Sequence, residues 1–247
     1  MSVLRRASRL AMLPTAPVLI AQGRRLRRDT PRLPDAAAPW HGSVAGPRPI
    51  RLLVLGDSTA AGVGAATQDD ALPGNLAREL STRLSRGVTW RAVGENGATS
   101  RDIVEGYLGA ATETAADLVF LSIGANDALG LRGRGAFVRD IRTIIAGLKT
   151  ANPDVLVLMS SLPGFSQFVL LPNPLRWNLY LHSTSLEAGA RAAVAGMDNV
   201  WMSGPPPIYT DGFFATDLFH PSESGYTDWV RFALDDPPGQ AVLARLA

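Results

Sequence analysis

Five short apolar runs alternate with amphipathic helical patterns from residue 50 onward, and this alternation constrains the fold more than any other feature of the chain. Such a pattern is typical of a parallel β-sheet that is covered by helices on both faces. The predicted strands occupy residues 51–55, 88–93, 118–123, 155–159 and 200–203. The sequence therefore predicts an α/β fold with a five-stranded parallel sheet.

The segments between these strands carry apolar residues spaced by three or four positions, as amphipathic helices do. Two such sets are Leu72, Leu76, Leu80 and Leu84, and Phe137, Ile141, Ile145 and Leu148. We expect Ser100 to cap a further helix. The run Thr184-Ser-Leu-Glu187 fits a capping box, so we also expect it to open an alanine-rich helix.

Polar residues follow the predicted strands at the points where the strands end. Ligands of open α/β sheets bind outside the carboxyl ends of the strands, so residues far apart in sequence should meet at one edge. The residues in these positions are Ser58 after the first strand, Asn96-Gly97 after the second, Gly124-Ala-Asn126-Asp127 after the third, and Asp217 and His220 beyond the fifth.

These residues match the requirements of nucleophilic catalysis by a serine. A serine hydroxyl needs an adjacent base, and the base needs a third group that orients it. Ser58 is the candidate nucleophile, His220 the base and Asp217 the orienting carboxylate. Pro221 disfavours helical geometry at His220, which predicts a loop there. The candidate oxyanion donors are the backbone N–H groups of Ser58 and Gly97 and the side-chain amide of Asn126.

Each of these residues also has a simpler interpretation. Gly97 could serve a tight turn, and Asn126 with Asp127 could cap a helix. We expect His41, His182 and Asp127 to be structural. A non-catalytic flavodoxin-like module that holds a phosphate in the loop 56–64 is an alternative of another class. That loop lacks the glycine patterns of phosphate-binding loops, and the module would leave Asp217 and His220 unexplained.

Together, the four blocks resemble those of the SGNH hydrolase family, also called GDSL hydrolases, and the match in order and spacing extends over residues 51–235. The branch that the chain resembles contains bacterial esterases, acyl-thioesterases and lysophospholipases. The resemblance implies a flavodoxin-like three-layer α/β/α fold. It also implies Ser58 as nucleophile, Asp217 and His220 as its partners, and Gly97 and Asn126 with the Ser58 amide as oxyanion hole. Thr59 departs from the leucine of the family name.

A long apolar loop at 162–177 bears on the substrate. We name Phe165, Phe168, Leu170 and Trp177 as candidate pocket residues, although the loop could instead pack on the core or on the N-terminal arm. If it lines the pocket, medium-chain acyl esters or lipids are favoured over acetylated sugars. Carbohydrate O-acetylesterase, acyl-thioesterase and acyltransferase activity would use the same triad. The chain has no cysteine, and we expect neither a cofactor nor a metal.

The N-terminal segment differs from the rest in charge. We divide the chain into a basic arm with a proline-rich linker at 1–48 and a hydrolase domain at 49–247. Residues 1–50 contain nine arginines and two aspartates, a balance of +7, whereas the whole chain carries +2. The remainder therefore carries −5, which argues against a nucleic-acid-binding face on the domain.

The apolar stretch from Leu10 to Ala21 within this arm has three interpretations. It could pack on the domain surface, lie at a membrane interface with its arginines on anionic lipid, or act as a secretory signal. The signal is the least favoured because arginines follow the stretch directly. With no apolar run of about 18 residues, a spanning helix is not predicted. We expect a cytoplasmic protein, and peripheral contact with a membrane through the arm is the alternative. The sequence does not predict the oligomeric state.

Overall fold

The structure is a computed structural model that describes residues 8–206 and 208–247. In these residues six strands form one sheet with the order β1-β3-β2-β4-β5-β6. Strands β2 to β6 run parallel, whereas β1 pairs antiparallel with β3 at the edge. The strands are β1 (His41–Val44), β2 (Ile50–Gly56), β3 (Val88–Gly94), β4 (Leu118–Ser122), β5 (Leu156–Met159) and β6 (Val200–Met202).

The helices lie between and beyond these strands. The segment 100–112, called α3, starts with an α-helical turn, continues through a π-helical stretch at Ile103–Tyr107 and ends as an α-helix. The others are α1 (Ala16–Asp29), α2 (Leu72–Leu84), α4 (Ala125–Leu129), α5 (Arg134–Ala151), α6 (Leu175–Val194), α7 (Glu223–Asp235) and α8 (Pro237–Leu246). Short helical turns occur at Ser8–Ala11, Leu13–Thr15 and Phe165–Gln167.

Successive side chains of the buried strands point to opposite faces of the sheet, and each face forms one hydrophobic core with the helices that cover it. The result is a three-layer α/β/α fold, which confirms the predicted fold class. Leu53 and Leu55 point to the face that is covered by α3, α5 and α6. Leu52 and Val54 point to the opposite face, which is covered by α2, α7 and α8. Because both faces are buried, strand β2 is apolar at almost every position. The sheet thereby holds its carboxyl edge, where the polar motifs begin, in a fixed position.

The prediction of a purely parallel, five-stranded sheet is wrong at its edge. The added strand β1 lies inside the segment that was predicted to be a linker, and it pairs His41 with Arg91 and Val44 with Val88. This strand has only four residues, two of them Gly42 and Ser43, so it carries no apolar alternation. It forms hydrogen bonds with the edge of β3 that does not pair with β2. A domain boundary at 48/49 therefore separates β1 from the sheet to which it belongs.

Two predicted helix starts are also wrong. Thr99, not Ser100, caps α3, in a capping box with Asp102. The helix α6 begins at Leu175, so Thr184 lies in its interior and donates to the carbonyl of Leu181 at 2.9 Å. A threonine followed three residues later by glutamate fits a capping box and a helix interior equally well.

The N-terminal helix packs on the domain. The Gln22 side chain donates to the carbonyl of Asn173 at 2.7 Å and accepts from the N–H of Leu175 at 3.1 Å, which joins α1 to the start of α6. The Ser8 hydroxyl lies 2.9 Å from Nδ1 of the buried His182. Within the described part of the chain, no helix combines the length and apolar character needed to cross a bilayer.

Candidate active site

Ser58 lies just beyond the end of β2, where the chain leaves the sheet. A Cβ atom on Gly56 would lie 2.0 Å from the carbonyl oxygen of Ser122, so only glycine permits this approach of β2 to β4. The following turn is closed by hydrogen bonds from Ala61 to the Asp57 carbonyl and from Val63 to the Ser58 carbonyl, both 3.0 Å. The serine is thereby fixed at the carboxyl edge of the sheet.

Three side chains form a continuous hydrogen-bonded series at this edge. Nε2 of His220 lies 3.0 Å from Oγ of Ser58, although 162 residues separate them. Nδ1 of His220 lies 2.6 Å from Oδ2 of Asp217. The other carboxylate oxygen of Asp217 accepts the N–H groups of Phe219 and His220, both at 3.0 Å. The structure thus brings together the predicted nucleophile, base and orienting group in the order that serine catalysis requires.

The loop that carries His220 is shaped by its backbone. Leu218 has a φ of +55°, a left-handed conformation that is uncommon for a leucine and that turns the chain between Asp217 and His220. The N–H of Ala215 donates to the carbonyl of His220 at 2.8 Å. The loop at 57–66, called the serine loop, lies against this segment at Gly64, which has a φ of +99°. A Cβ atom there would lie 2.1 Å from the carbonyl oxygen of Pro221.

The pKa values of two buried carboxyl groups of the site are shifted in opposite directions. Burial raises the pKa of Asp217, but the hydrogen bonds from His220 and the two backbone N–H groups outweigh it, so its pKa lies below the ordinary value. Burial raises the pKa of Asp57 to about 6, although Thr59 donates to this carboxylate and His220 attracts it. Asp217 is therefore a stable anion beside the imidazole, whereas Asp57 changes charge in a mildly acidic range.

The candidate oxyanion donors belong to three segments of the chain. The N–H groups of Ser58 and Gly97 have no hydrogen-bond acceptor within the described residues. Asn126 lies in the first turn of α4, and its side-chain amide donates to the carbonyl of Ala98 at 3.0 Å. An amide nitrogen carries two hydrogens, so one remains for a substrate oxygen. These contacts place Asn126 beside the loop that carries Gly97.

Asp127 occupies a structural position, as expected, but its contacts are not those of a local turn. Its carboxylate accepts the N–H of Ser100 at 2.8 Å and the Ser100 hydroxyl at 2.7 Å. Nε of Arg132 lies 3.3 Å away, and Arg132 also pairs with the buried Asp140. Burial raises the pKa of Asp127 against these lowering contacts. The residue thus joins α4 to the start of α3.

An apolar cavity opens beside Ser58 and His220. Its aromatic wall consists of Phe168, Tyr209, Phe213, Phe214, Phe219 and Trp229. Of the predicted pocket residues, only Phe168 lies there. Phe165 is fully buried behind Phe168, Leu170 faces a different groove next to α1, and Trp177 is 61% exposed and packs on Tyr180. The aromatic residues near the histidine motif are the signal that the sequence interpretation overlooked.

The remaining predicted residues lie apart from this site. His41 belongs to the edge strand β1, and His182 is buried with its ring between Ser8 and the carbonyl of Arg132. Burial lowers the pKa of His182. Among residues 8–206 and 208–247, no group of three or more histidine, aspartate or glutamate side chains is placed to hold a metal ion.

A serine, an imidazole and a carboxylate in series at the carboxyl edge of a three-layer sheet define the class of the serine hydrolases. The chain belongs to the GDSL-like lipase/acylhydrolase family, which matches residues 54–227. Its members are carboxylic ester hydrolases.

Known proteins agree with this assignment. The GDSL-like esterase Rv1075c of Mycobacterium tuberculosis is 27% identical over 213 residues, which cover 80% of this chain and 65% of that protein. This chain thus spans less than two thirds of that relative's length. The lipase Lip_vut3 from a goat rumen metagenome has a TM-score of 0.64 at 14% identity, covering 77% of this chain and 99% of that one. A family 3 carbohydrate esterase of Clostridium thermocellum has a TM-score of 0.61 at 18% identity, covering 81% and 100%. These structures show the fold alone.

Proposed function

We propose that the protein hydrolyses carboxylic esters through a covalent acyl-enzyme on Ser58. The observation that carries this proposal is the unbroken series from Ser58 through His220 to Asp217, with contacts of 3.0 and 2.6 Å. A serine hydroxyl within hydrogen-bond reach of an oriented imidazole can be deprotonated as it attacks a carbonyl carbon.

The reaction follows from the positions of these groups. Oγ of Ser58 attacks the ester carbonyl carbon, and its proton moves to Nε2 of His220. The carbonyl oxygen gains negative charge, which the N–H groups of Ser58 and Gly97 and the amide of Asn126 stabilise. His220 then protonates the leaving alcohol oxygen as the ester bond breaks. A water molecule, deprotonated by the same imidazole, attacks the acyl group and releases the carboxylic acid and free Ser58.

The cavity favours an apolar acyl group of medium length. Its wall next to the reacting serine is aromatic, and Phe168 and Phe213 are almost fully buried. Burial of each methylene in such a wall contributes about 0.8 kcal/mol, so affinity should rise with chain length until the cavity is full. Hydrolysis of thioesters, deacetylation of sugars and acyl transfer to another acceptor would use the same three residues. Rates measured on a series of substrates distinguish these reactions.

Covalent labelling tests the nucleophile. A fluorophosphonate should add one adduct to the native protein, and peptide mapping should place it on Ser58 rather than on Ser122 or Ser160, which also line the cavity. The Ser58→Ala variant and the urea-unfolded protein should remain unlabelled. Labelling of another serine, or equal labelling of Ser58→Ala, would overturn the assignment.

A substrate series tests the reaction. p-Nitrophenyl esters from acetate to palmitate should give the highest kcat/KM at medium length. Acetylated xylan and an acyl-CoA of the preferred length serve as comparisons, and added alcohols would reveal acyl transfer. A maximum at acetate, or faster turnover of acetylated xylan, would identify an O-acetylesterase instead.

We further propose that the protein makes peripheral contact with membranes through its N-terminal arm. Val18 and Ile20 are 48% and 55% exposed on α1, which also carries the exposed Arg24 and Arg25. Apolar side chains next to arginines suit the interface of an anionic bilayer. Co-sedimentation with phosphatidylglycerol vesicles should exceed that with phosphatidylcholine, and a Val18→Ser, Ile20→Ser double variant should lose the difference. Equal sedimentation with both vesicles would contradict this contact.

A further inference from the structure

A groove beside the catalytic histidine is shared by the N-terminal segment and the active site. Arg27 and Arg32 line it from one side, and Asp217, His220 and Asn96 line it from the other. Asn96 directly precedes the oxyanion donor Gly97. Of these residues, the proposed ester hydrolysis uses only Asp217 and His220.

The two arginines are carried by a backbone that is anchored on both sides of the groove. On one side, Gln22 joins α1 to α6 through its contacts with Asn173 and Leu175. On the other side, the N–H groups of Ala36 and Ala37 donate to the carbonyls of Ala61 and Ala66 in the serine loop, at 2.9 and 3.0 Å. The segment 30–37 therefore follows the rim of the active site and holds Arg32 beside it.

The charges of Arg27 and Arg32 are uncompensated. Neither side chain has an ion pair or a hydrogen bond within the described residues, whereas Arg25 and Arg28 of α1 both pair with Asp29. The carboxylate that lines the groove, Asp217, already accepts from His220 and from two backbone N–H groups. The groove thus presents two free guanidinium groups to solvent next to the reacting atoms.

We propose that this groove binds an anionic group, a phosphate above all, on the alcohol side of the ester. This inference rests on the proposed ester hydrolysis. His220 protonates the leaving oxygen, so the alcohol must lie on the side of the imidazole, while the acyl chain occupies the aromatic cavity. Guanidinium groups bind phosphate through paired, charge-assisted hydrogen bonds. The substrate class is therefore an amphiphilic ester whose alcohol carries a phosphate near the scissile bond.

A matched pair of esters tests the proposal. 1-Octanoylglycerol and 1-octanoylglycerol 3-phosphate share the acyl chain and the ester and differ only in the phosphate. Below the concentration at which either aggregates, the native protein should have a higher kcat/KM for the phosphate ester. Because the contacts are solvent-exposed, we expect Arg27→Gln and Arg32→Gln each to lower the phosphate-to-neutral ratio about two- to fivefold, and the double variant about tenfold. Salt should lower the ratio as well.

The control is a second double variant, with both substitutions on α1. Arg25→Gln with Arg28→Gln removes the same two charges but at positions outside the groove, so it should keep the native ratio. This comparison separates local binding from the overall field of the protein. All variants should retain native turnover of the neutral ester, which reports on folding and on the triad. Octanoyl-CoA, a thioester whose phosphates lie farther away, distinguishes a nucleotide from a glycerol phosphate as the source of the anion.

A binding measurement makes the outcome independent of turnover. Glycerol 3-phosphate should bind to the Ser58→Ala protein in calorimetry, and the Arg27, Arg32 double variant should lose this binding. Should the native protein hydrolyse the neutral ester while the double variant keeps both the ratio and the binding, the subsite is wrong and the ester hydrolase stands. If no ester is cleaved yet binding depends on the two arginines, the proposed function fails and the anion site stands. An arginine effect that appears only with vesicles overturns the subsite in favour of a lipid surface.

Discussion

The side-chain amide of Asn126 donates a 3.0 Å hydrogen bond to the carbonyl of Ala98, the residue that follows Gly97. This bond joins the start of α4 to the loop after β3, and both of these elements supply candidate oxyanion donors. One amide hydrogen is used to fix the side chain, and the other stays available. The two donors therefore keep a constant relative position before a substrate arrives, which is the condition for effective stabilisation of a transition state.

From this arrangement we expect Asn126→Ala to lower kcat and leave KM nearly unchanged. The amide would donate to an oxygen that becomes strongly charged only as the tetrahedral intermediate forms, so its loss should affect the transition state alone. A single oxyanion donor contributes about 10²–10³ in kcat, and two backbone donors would remain here. Steady-state kinetics on the preferred p-nitrophenyl ester measures both constants. A raised KM with intact kcat would instead assign Asn126 to ground-state binding.

Substitution of Asp127 should act on stability more than on chemistry. Asp127→Asn leaves a neutral amide among Ser100 and Arg132, in a site that is fully buried. Loss of charged hydrogen bonds in such a site costs about 1.5–3 kcal/mol. Urea unfolding should show this loss, while kcat of the remaining folded protein should change much less than in Asn126→Ala. A loss of kcat equal to that of Asn126→Ala, at native stability, would give Asp127 a direct role.

The sequence was sufficient to predict the elements that bring Ser58 and His220 together. Ser58 directly follows an apolar run, and the carboxyl ends of parallel strands share an edge, so pattern and order place the serine at that edge. His220 lies on a loop beyond the last strand, and its contact with Ser58 depends on the backbone of that loop. Strand β1 was missed because His41–Val44 has no apolar alternation, and its pairing with β3 depends on an edge that only the folded sheet creates.

The acyl cavity could be predicted only in part, for a reason of geometry. Trp177 and Phe168 both belong to the apolar loop region, yet one is exposed on α6 and the other lies in the cavity. Which of them turns inward depends on where α6 begins and on the packing of Phe168 against Phe214 and Phe219. Such long-range contacts leave no local periodic pattern in the sequence.

The position of Arg32 beside the site could not be predicted for the same reason. It depends on the hydrogen bonds that join Ala36 and Ala37 to the serine loop.

Substitution of Phe168 should change the preference for acyl chain length, whereas substitution of Trp177 should not. Phe168→Leu removes an aromatic ring from the cavity wall and should raise kcat/KM for p-nitrophenyl decanoate relative to butyrate by about tenfold, since burial of two further methylenes at about 0.8 kcal/mol each corresponds to a factor of that order. Trp177→Leu removes a similar apolar side chain outside the cavity and should keep the native ratio. Equal shifts in both variants would show that the cavity wall does not set the chain length.

The last prediction concerns the dependence of stability on pH at Asp57. Burial raises the pKa of this carboxyl to about 6 in the folded protein, from 3.8 in the unfolded chain. The folded state therefore holds the proton more tightly, so the stabilising contribution is complete below about pH 4 and is lost as pH rises through about 6. A shift of about two pKa units corresponds to about 3 kcal/mol.

Asp57→Asn has no such proton to lose. Urea unfolding at pH 5 and at pH 7.5 should thus show a free energy of unfolding that falls less with rising pH in the variant than in the native protein. Asp217→Asn is the matched control. The pKa of Asp217 lies below the ordinary value in the folded protein and at the ordinary value of about 4 in the unfolded chain, so the group is charged in both from about pH 5 upward. Its substitution should lower stability by a nearly constant amount across this range. Parallel pH profiles for the native protein and Asp57→Asn would show that Asp57 is not the group that titrates near pH 6.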